Sequence, residues 1–181
     1  MHNYLYIHGY GGSGNAQKAQ LLQQMFPKCN VHRPTIDYDH ENPYDILNRL
    51  KKIIYVNHVE LIVGSSMGGY FALCCSLFFD GTIWTINPVR DIMRTIERHI
   101  NALPNMSQKH VDDVKKFDKE IFQNLHPKAE QLNFALSADD ELLGPHEALL
   151  KRFPQHNHVI WKEPSLHRFT RFEELKPYLT L

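Results

Sequence analysis

The 181-residue sequence has only three cysteines, an odd number that includes the adjacent pair Cys74 and Cys75. Such a set does not form the disulfide framework of a small secreted protein, so we expect a reducing compartment. The first residues lack the basic start and apolar stretch of a signal peptide. The longest nearly apolar run, residues 71–79, is too short to span a bilayer. We therefore expect a cytoplasmic protein that does not insert into membranes.

An excess of charge of either sign is also absent. Twenty basic residues balance twenty acidic ones, which gives a formal net charge of zero. Strong electrostatic attraction to nucleic acid or to anionic lipid is therefore not expected. Hydrophobic residues make up 43% of the sequence and charged residues 22%, as in ordinary globular proteins. The length fits one domain that covers residues 1–181.

Histidine, by contrast, is abundant, with twelve residues in the chain. Histidine is a common metal ligand and titrates near neutral pH, so these residues invite metal-binding and pH-switch hypotheses. His156 and His158 could share one face of a strand, but the sequence offers no third ligand nearby. The sequence predicts neither a metal site nor a bound cofactor, and the phosphate-binding pattern G-x-x-x-x-G-K-[ST] is missing.

Strand-like and helix-like segments alternate along the chain. Short β-branched and aromatic runs predict strands over residues 4–8, 30–33, 60–63, 82–86, 131–136 and 158–161. Apolar residues at helical spacing predict helices over residues 16–26, from 43 to about 54, and over 70–79, 145–153 and 170–181. The alternation predicts an α/β three-layer sandwich, with a mostly or wholly parallel sheet of about six strands and helices on both faces. In such sheets, ligands bind beyond the carboxyl ends of the strands.

One longer segment, residues 89–127, is polar and mostly helical in pattern. We expect it to form a small helical cap inserted in the single domain. Arg90, Arg94 and Arg98 recur in it at four-residue steps and so share one face of a helix. If that face looked into the ligand cleft, it would favour acidic or phosphate-bearing substrates, although such a stripe is more often solvated.

The third strand is followed by Gly64-Ser65-Ser66-Met67-Gly68, which is a G-x-S-x-G pattern. On a sharp turn from strand to helix, the central serine projects its hydroxyl above the edge of the sheet. The turn crowds the residues two before and two after the serine, so both favour glycine. The following helix also points its amino terminus at the site, where it favours developing negative charge. We predict that Ser66 is a nucleophile, with a tight structural turn as the alternative.

The first strand is followed by a second glycine-rich loop, residues 9–14. In an acyl-transfer site, this loop would present a backbone N–H to an oxyanion, and the residue after the nucleophile would present another. We predict the amides of Met67 and Tyr10 for this role, with Gly11 as the alternative to Tyr10. His8, immediately before the loop, is predicted to be structural, through a hydrogen bond to it.

An acid and a base for the nucleophile follow the fifth and sixth strands. His167 stands before the last predicted helix, in the position of a general base, and Asp140 could orient its imidazole. The order Ser66, Asp140, His167 is the chain order of the hydrolase arrangement. Asp139 and, less directly, Asp91 are the alternative acids.

Together these residues resemble the α/β-hydrolase superfamily and, more narrowly, the small bacterial YqiA/YcfP-like esterases. The resemblance covers nearly the whole chain and is carried by residues 6–10, 64–70, 87–88, 140–141 and 167–169. It implies a compact fold with little or no lid, esterase activity on small acyl substrates, and a triad on Ser66, Asp140 and His167. The acid is preceded by Ala138-Asp139 rather than by a glycine, so the choice between the two aspartates stays open.

The sequence thus predicts a serine hydrolase that cleaves carboxylic esters or thioesters through an acyl-enzyme, without cofactor or metal. Its partner would be a small-molecule acyl ester or thioester, with neither nucleic acid nor membrane involved. The alternative is a catalytically silent member of the fold that binds a ligand or a protein. The intact trio of Ser66, Asp140 and His167 favours the enzyme.

Overall fold

The computed structural model describes residues 1–99, 102–154 and 156–179. Its sheet confirms the predicted architecture. Six strands in this part of the chain form one sheet in the order β2-β1-β3-β4-β5-β6. Every neighbouring pair is parallel. The strands are β1 (Asn3–Ile7), β2 (Asn30–His32), β3 (Leu61–Ser65), β4 (Thr82–Ile86), β5 (Leu132–Ser137) and β6 (Asn157–Trp161).

Helices occupy the connections between the strands. They are α1 (Gln17–Met25), α2 (Pro43–Val56), α3 (Met67–Cys75), the single turn α4 (Ile92–Arg94), α5 (Gln108–Glu120) and α6 (Glu147–Arg152). A π-helical turn continues α4 over Thr95–His99. Short 3-10 turns cover Leu103–Asn105, Phe122–Asn124, Ala129–Gln131 and Phe172–Leu175. The crossovers place helices on both faces of the sheet, as predicted.

Two helix predictions differ from the structure. The apolar helix α3 begins at Met67 rather than Tyr70 and ends at Cys75, just before Ser76 turns its hydroxyl back to the Leu73 carbonyl. The helix predicted over residues 170–181 is instead the 3-10 turn Phe172–Leu175. Pro177 explains this difference, because it has no backbone N–H to continue a helix. Residues 180 and 181 of that prediction lie outside the described part of the chain.

Hydrophobic packing on both faces of the sheet holds the layers together. Alternate side chains of β1 point in opposite directions, so Leu5 and Ile7 join one buried cluster while Tyr4 and Tyr6 join the other. The first cluster includes the inner faces of α2, α3 and α5, and the second includes those of α1 and the last 3-10 turn. Each fully buried aliphatic side chain contributes about 1.5–3 kcal/mol to the free energy of unfolding.

Helix α5, in the segment 89–127, packs against the helices on one face of the sheet. Val114 and Phe117 of α5 belong to the same buried cluster as α2 and α3. Arg90 precedes α4, and its guanidinium donates hydrogen bonds to the carbonyls of Leu143 and Pro145 at 2.9 and 3.0 Å. The three arginines therefore do not share one regular helix face. The assignment of this segment as a cap stays a prediction.

No helix in the part of the chain that the structure describes combines the length and the apolar character needed to cross a membrane.

Candidate active site

The turn between β3 and α3 holds Ser66 in a backbone conformation that most residues avoid. Its φ of 54° and ψ of −116° lie outside the ordinary regions of L-residues, at a cost of about 1–3 kcal/mol. The surrounding backbone fixes the turn, because the Ser66 amide donates to the Ile86 carbonyl at 2.9 Å. The Ser66 carbonyl accepts from the amides of Tyr70 and Val89 at 3.2 and 3.1 Å.

The two outer glycines of the pattern are required by close packing. A Cβ on Gly68 would overlap the carbonyl oxygens of Ile7 and His8 at the end of β1. A Cβ on Gly64 would overlap the Gly68 carbonyl and would lie 2.7 Å from the Cβ of Ala72. The two glycines therefore allow α3 to start directly against the sheet, and this contact sets the position of Ser66.

A continuous chain of hydrogen bonds links the three residues that the sequence singled out. Ser66 Oγ lies 2.8 Å from His167 Nε2, and His167 Nδ1 lies 3.1 Å from each carboxylate oxygen of Asp140. An ionised carboxylate can only accept, so Nδ1 is the donor to Asp140. Nε2 of the neutral ring is then free to accept the serine proton. This is the geometry of a nucleophile, a base and an orienting acid.

Asp140 is ionised despite its fully buried side chain. Burial on its own raises the pKa of this carboxyl, but the nearby His146 and hydrogen bonds from His167 and the Leu143 amide outweigh it and hold the pKa well below its usual range. The amides of Leu142 and Leu143 donate to Oδ1 at 3.0 and 2.9 Å. The Asp140 carboxylate therefore stays ionised throughout the neutral pH range.

A second histidine contacts the same carboxylate. Nε2 of the buried His146 lies 3.4 Å from Asp140 Oδ2. Asp140 thus lies between His146 and His167, and only His167 reaches the serine. No sequence pattern singled out His146, because it stands six residues after the acid in an irregular loop. No sequence pattern pointed to Leu143 either, although its amide donates to the same carboxylate.

The other candidate acids bind backbone rather than the imidazole. The Asp139 carboxylate accepts from the amides of Ser165 and Leu166 at 2.9–3.1 Å. Asp91 caps α4 by accepting from the Arg94 amide at 2.9 Å. Only Asp140, among the three acids weighed from the sequence, touches the ring of His167.

The backbone of the loop that carries His167 is held by side chains that follow β4 and β5. Glu141 Oε2 accepts from the His167 amide at 2.8 Å. Asn87, at the end of β4, donates through Nδ2 to the carbonyls of Leu166 and His167 at 3.1 and 3.0 Å. Its Oδ1 accepts from the Ser137 amide at 2.8 Å, which ties β4, β5 and the loop together. The one sequence feature that could have indicated this role of Asn87 is its position directly after a buried strand.

The two predicted oxyanion donors lie at the ends of neighbouring strands. Met67 is the first residue of α3, and no described carbonyl accepts from its amide. The Gly12 amide donates to the Gly9 carbonyl at 3.1 Å, which places Tyr10 and Gly11 at the centre of a tight turn. Neither of their amides is bonded to a described backbone acceptor. The choice between them stays open.

His8 supports this turn as a neutral ring. The Gly9 carbonyl can only accept and the Ile36 amide can only donate, so His8 donates from Nδ1 at 2.7 Å and accepts at Nε2 at 2.9 Å. Burial lowers the pKa of His8, and the hydrogen bond to Gly9 opposes this only in part. His8 is 1% exposed, in agreement with the structural role predicted for it.

The chain matches the family model of the "Uncharacterised protein family (UPF0227)" over residues 3–180. The chain belongs to this family. The match confirms the predicted membership among the YqiA/YcfP-like proteins.

Solved structures share the fold of this UPF0227 protein. Alpha/beta hydrolase domain-containing protein 10 from mouse has a TM-score of 0.68 at 12% identity, covering 96% of this chain and 85% of its own. Est1E from Butyrivibrio proteoclasticus has a TM-score of 0.66 at 16% identity, covering 98% and 85%. The monoacylglycerol lipase of Paleococcus ferrophilus has a TM-score of 0.66 at 13% identity, covering 97% and 91%. These similarities establish the α/β-hydrolase fold.

A cleft of about 440 Å³ opens beside Ser66 in the UPF0227 protein. The residues that line it include Tyr6, Tyr10, Gln17, Leu142, Ser66 and His167. Within the described residues, no group of three or more histidine, cysteine, aspartate or glutamate side chains is arranged to hold a metal ion.

Proposed function

We propose that this protein is a serine hydrolase that cleaves carboxylic esters or thioesters of small acyl substrates through an acyl-enzyme intermediate. The observation that carries the proposal is the hydrogen-bond chain from Ser66 Oγ through His167 to the buried, ionised Asp140. A neutral imidazole that accepts from a strained, solvent-facing serine is the arrangement that general-base activation requires.

In the first half of the reaction, Ser66 Oγ attacks the carbonyl carbon while its proton moves to His167 Nε2. The tetrahedral intermediate carries its negative charge on the former carbonyl oxygen. The amides of Met67 and Tyr10 would donate hydrogen bonds to that oxygen. When the intermediate collapses, the bond to the alcohol or thiol breaks, and Nε2 returns the proton to the leaving group.

In the second half, water takes the place of the leaving group. His167 accepts a proton from the water as its oxygen attacks the acyl carbon, and then protonates Ser66 Oγ as the acid departs. Asp140 stays ionised throughout and stabilises the imidazolium that forms twice in each cycle. Its low pKa, with hydrogen bonds from Leu142 and Leu143, supports this role.

The names of the solved relatives are in keeping with the proposal. One is a monoacylglycerol lipase, and Est1E has also been solved with ferulic acid bound. The cleft beside Ser66 has room for a small acyl group, since pockets of 300–1,000 Å³ are usual for small ligands.

Hydrolysis of 4-nitrophenyl acyl esters of increasing chain length, and of matched thioesters, tests the proposal. We expect Ser66→Ala to lower kcat/KM by at least a thousandfold, because the nucleophile is lost. Ser65→Ala is the matched control, since this neighbouring hydroxyl stands outside the hydrogen-bond chain. Equal rates for wild type and Ser66→Ala would refute the assignment.

A fluorophosphonate probe gives a second readout that does not depend on the choice of ester. The wild-type protein should be labelled on Ser66, and His167→Ala should be labelled far more slowly because the serine loses its base. A folded wild-type protein that resists labelling would contradict the hydrolase proposal and favour a silent binding module.

A further inference from the structure

Two positively charged side chains line the cleft beside Ser66. Lys18 is the second residue of α1, and Arg168 directly follows His167 in the loop after β6. The two come from segments 150 residues apart in the sequence, yet both reach the same cleft. No motif in the sequence linked them to each other or to the serine.

Neither cation is neutralised within the described residues. Neither Lys18 nor Arg168 forms an ion pair or a side-chain hydrogen bond there, whereas Arg171, three residues further on, pairs with Glu174 at 2.6 Å. The only carboxylate that lines the cleft belongs to Glu141, and its Oε2 already accepts from the His167 amide. The cleft-lining side chains therefore carry two positive charges and one negative charge.

The position of Lys18 works against the stability of its own helix. A positive charge in the first turn of a helix faces the positive end of the helix dipole. Helix α1 has no acidic residue in its first turn and no side-chain cap on Ala16 that would offset it. Burial lowers the pKa of Lys18, and the charge of Arg168 lowers it further. A local arrangement that opposes stability is typical of a binding site.

We propose that Lys18 and Arg168 form an anion subsite of the Ser66 cleft, which selects esters that carry a carboxylate. A single negative charge matches the net single positive charge of the cleft-lining side chains better than a phosphate dianion does. The substrate class is therefore a half-ester of a dicarboxylic acid, or an ester with a carboxylated leaving group. This inference rests on the proposed hydrolase function.

Matched pairs of esters that differ by one charge test the subsite. For the acyl side, mono-4-nitrophenyl adipate is compared with its methyl-capped neutral analogue. For the leaving-group side, 3-carboxy-4-nitrophenyl butyrate is compared with 4-nitrophenyl butyrate. The readout is the ratio of kcat/KM for the anionic ester to that for the neutral ester. We expect this ratio to exceed one in at least one pair and to fall as salt screens the charges.

Charge-removing variants identify the residues responsible. Lys18→Gln should lower the ratio about tenfold, as expected for a lost hydrogen bond to a charged group in a half-buried site. Arg168→Gln, at an exposed position, should lower it about threefold. Arg171→Gln and Lys28→Gln remove charges outside the cleft and should leave the ratio unchanged. Equal ratios in wild type, Lys18→Gln and Arg168→Gln would overturn the proposal.

A binding measurement separates failure of the subsite from failure of the hydrolase proposal. Calorimetric titration of Ser66→Ala with monomethyl adipate and with dimethyl adipate requires no turnover. Tighter binding of the monoanion that is lost on adding Lys18→Gln supports the subsite, even if wild type hydrolyses none of the esters. Equal binding of the two compounds refutes it, even if wild type is an active esterase.

Discussion

The turn around Ser66 and the loop around His167 are held in place in different ways. Ser66 is positioned by backbone contacts, with Gly64 and Gly68 packed against atoms that leave no room for a Cβ. His167 is positioned by side chains up to 80 residues away, chiefly Asn87, Asp139 and Glu141. The glycines that position Ser66 form a short sequence motif, whereas the residues that position His167 are spread along the chain.

The contrast is greatest between Asp140 and Asp139, adjacent acids with different contacts. Asp140→Asn should lower kcat/KM about ten-thousandfold, because an amide stabilises the wrong tautomer of His167 and cannot stabilise an imidazolium. Asp139→Asn leaves the ring contact intact and removes part of the support of the loop, so we expect a loss of about tenfold or less. Steady-state ester hydrolysis by both variants measures the difference. A larger loss for Asp139→Asn would reverse the assignment.

A test of the tightly packed turn is Gly68→Ala. The added Cβ overlaps the carbonyls of Ile7 and His8, so either α3 or β1 has to move. We expect a destabilisation of about 3 kcal/mol, measured by urea unfolding. Gly11→Ala is the matched control, because nothing lies within 4 Å of its added Cβ. Its φ of 67° costs only about 1 kcal/mol. Similar losses of unfolding free energy in both variants would contradict the conclusion that close packing requires glycine at position 68.

A test of the loop is Asn87→Ala, which removes the amide that joins β4, β5 and the His167 loop. Loss of this partner for the Ser137 amide and the His167 carbonyl should cost about 2 kcal/mol of unfolding free energy. Displacement of His167 should lower kcat about tenfold with a smaller change in KM. Asn57→Ala, which removes a hydrogen bond to the Ile53 carbonyl at the end of α2, is the control. A loss of stability without any loss of kcat would contradict the positioning role.

The smallest expected effect concerns His8, which supports the turn at Tyr10. Its pKa is lowered in the folded state, so the unfolded chain takes up this proton first as the pH falls below about 6.5. The contribution of His8 is thus complete above that pH and is lost below it, by at most about 1.4 kcal/mol per pH unit. Urea unfolding between pH 8 and pH 5 should show a shallower decline for His8→Asn than for wild type. Parallel curves would contradict this, and exposed His126→Asn is the control.

Most of the fold could be predicted from the sequence, because strands and helices have distinct periodicities and the crossover rule leaves few arrangements for alternating elements. The strand predictions were confirmed to within a few residues, as the pairing of β3 with β1 and β4 shows. The last predicted helix was wrong, since Pro177 outweighs the helical spacing of the apolar residues around it.

Some features of the candidate site could likewise be predicted from the sequence, and others could not. The pattern around Ser66 is local, so its turn could be predicted, and the order of strand ends indicated Asp140 and His167. Which aspartate reaches the imidazole, and the presence of His146 behind it, depend on side-chain directions in an irregular loop. No periodicity encodes those directions.

The sequence by itself thus determined the α/β architecture, the glycine-bounded serine turn and the candidates at the strand ends. Only the tertiary structure decided which of these candidates touch, what fastens the His167 loop, and that Lys18 and Arg168 share the cleft with Ser66. The physical reason is range. Backbone periodicity and turn geometry act over a few residues, whereas hydrogen bonds and charges act between side chains that folding brings together from anywhere in the chain.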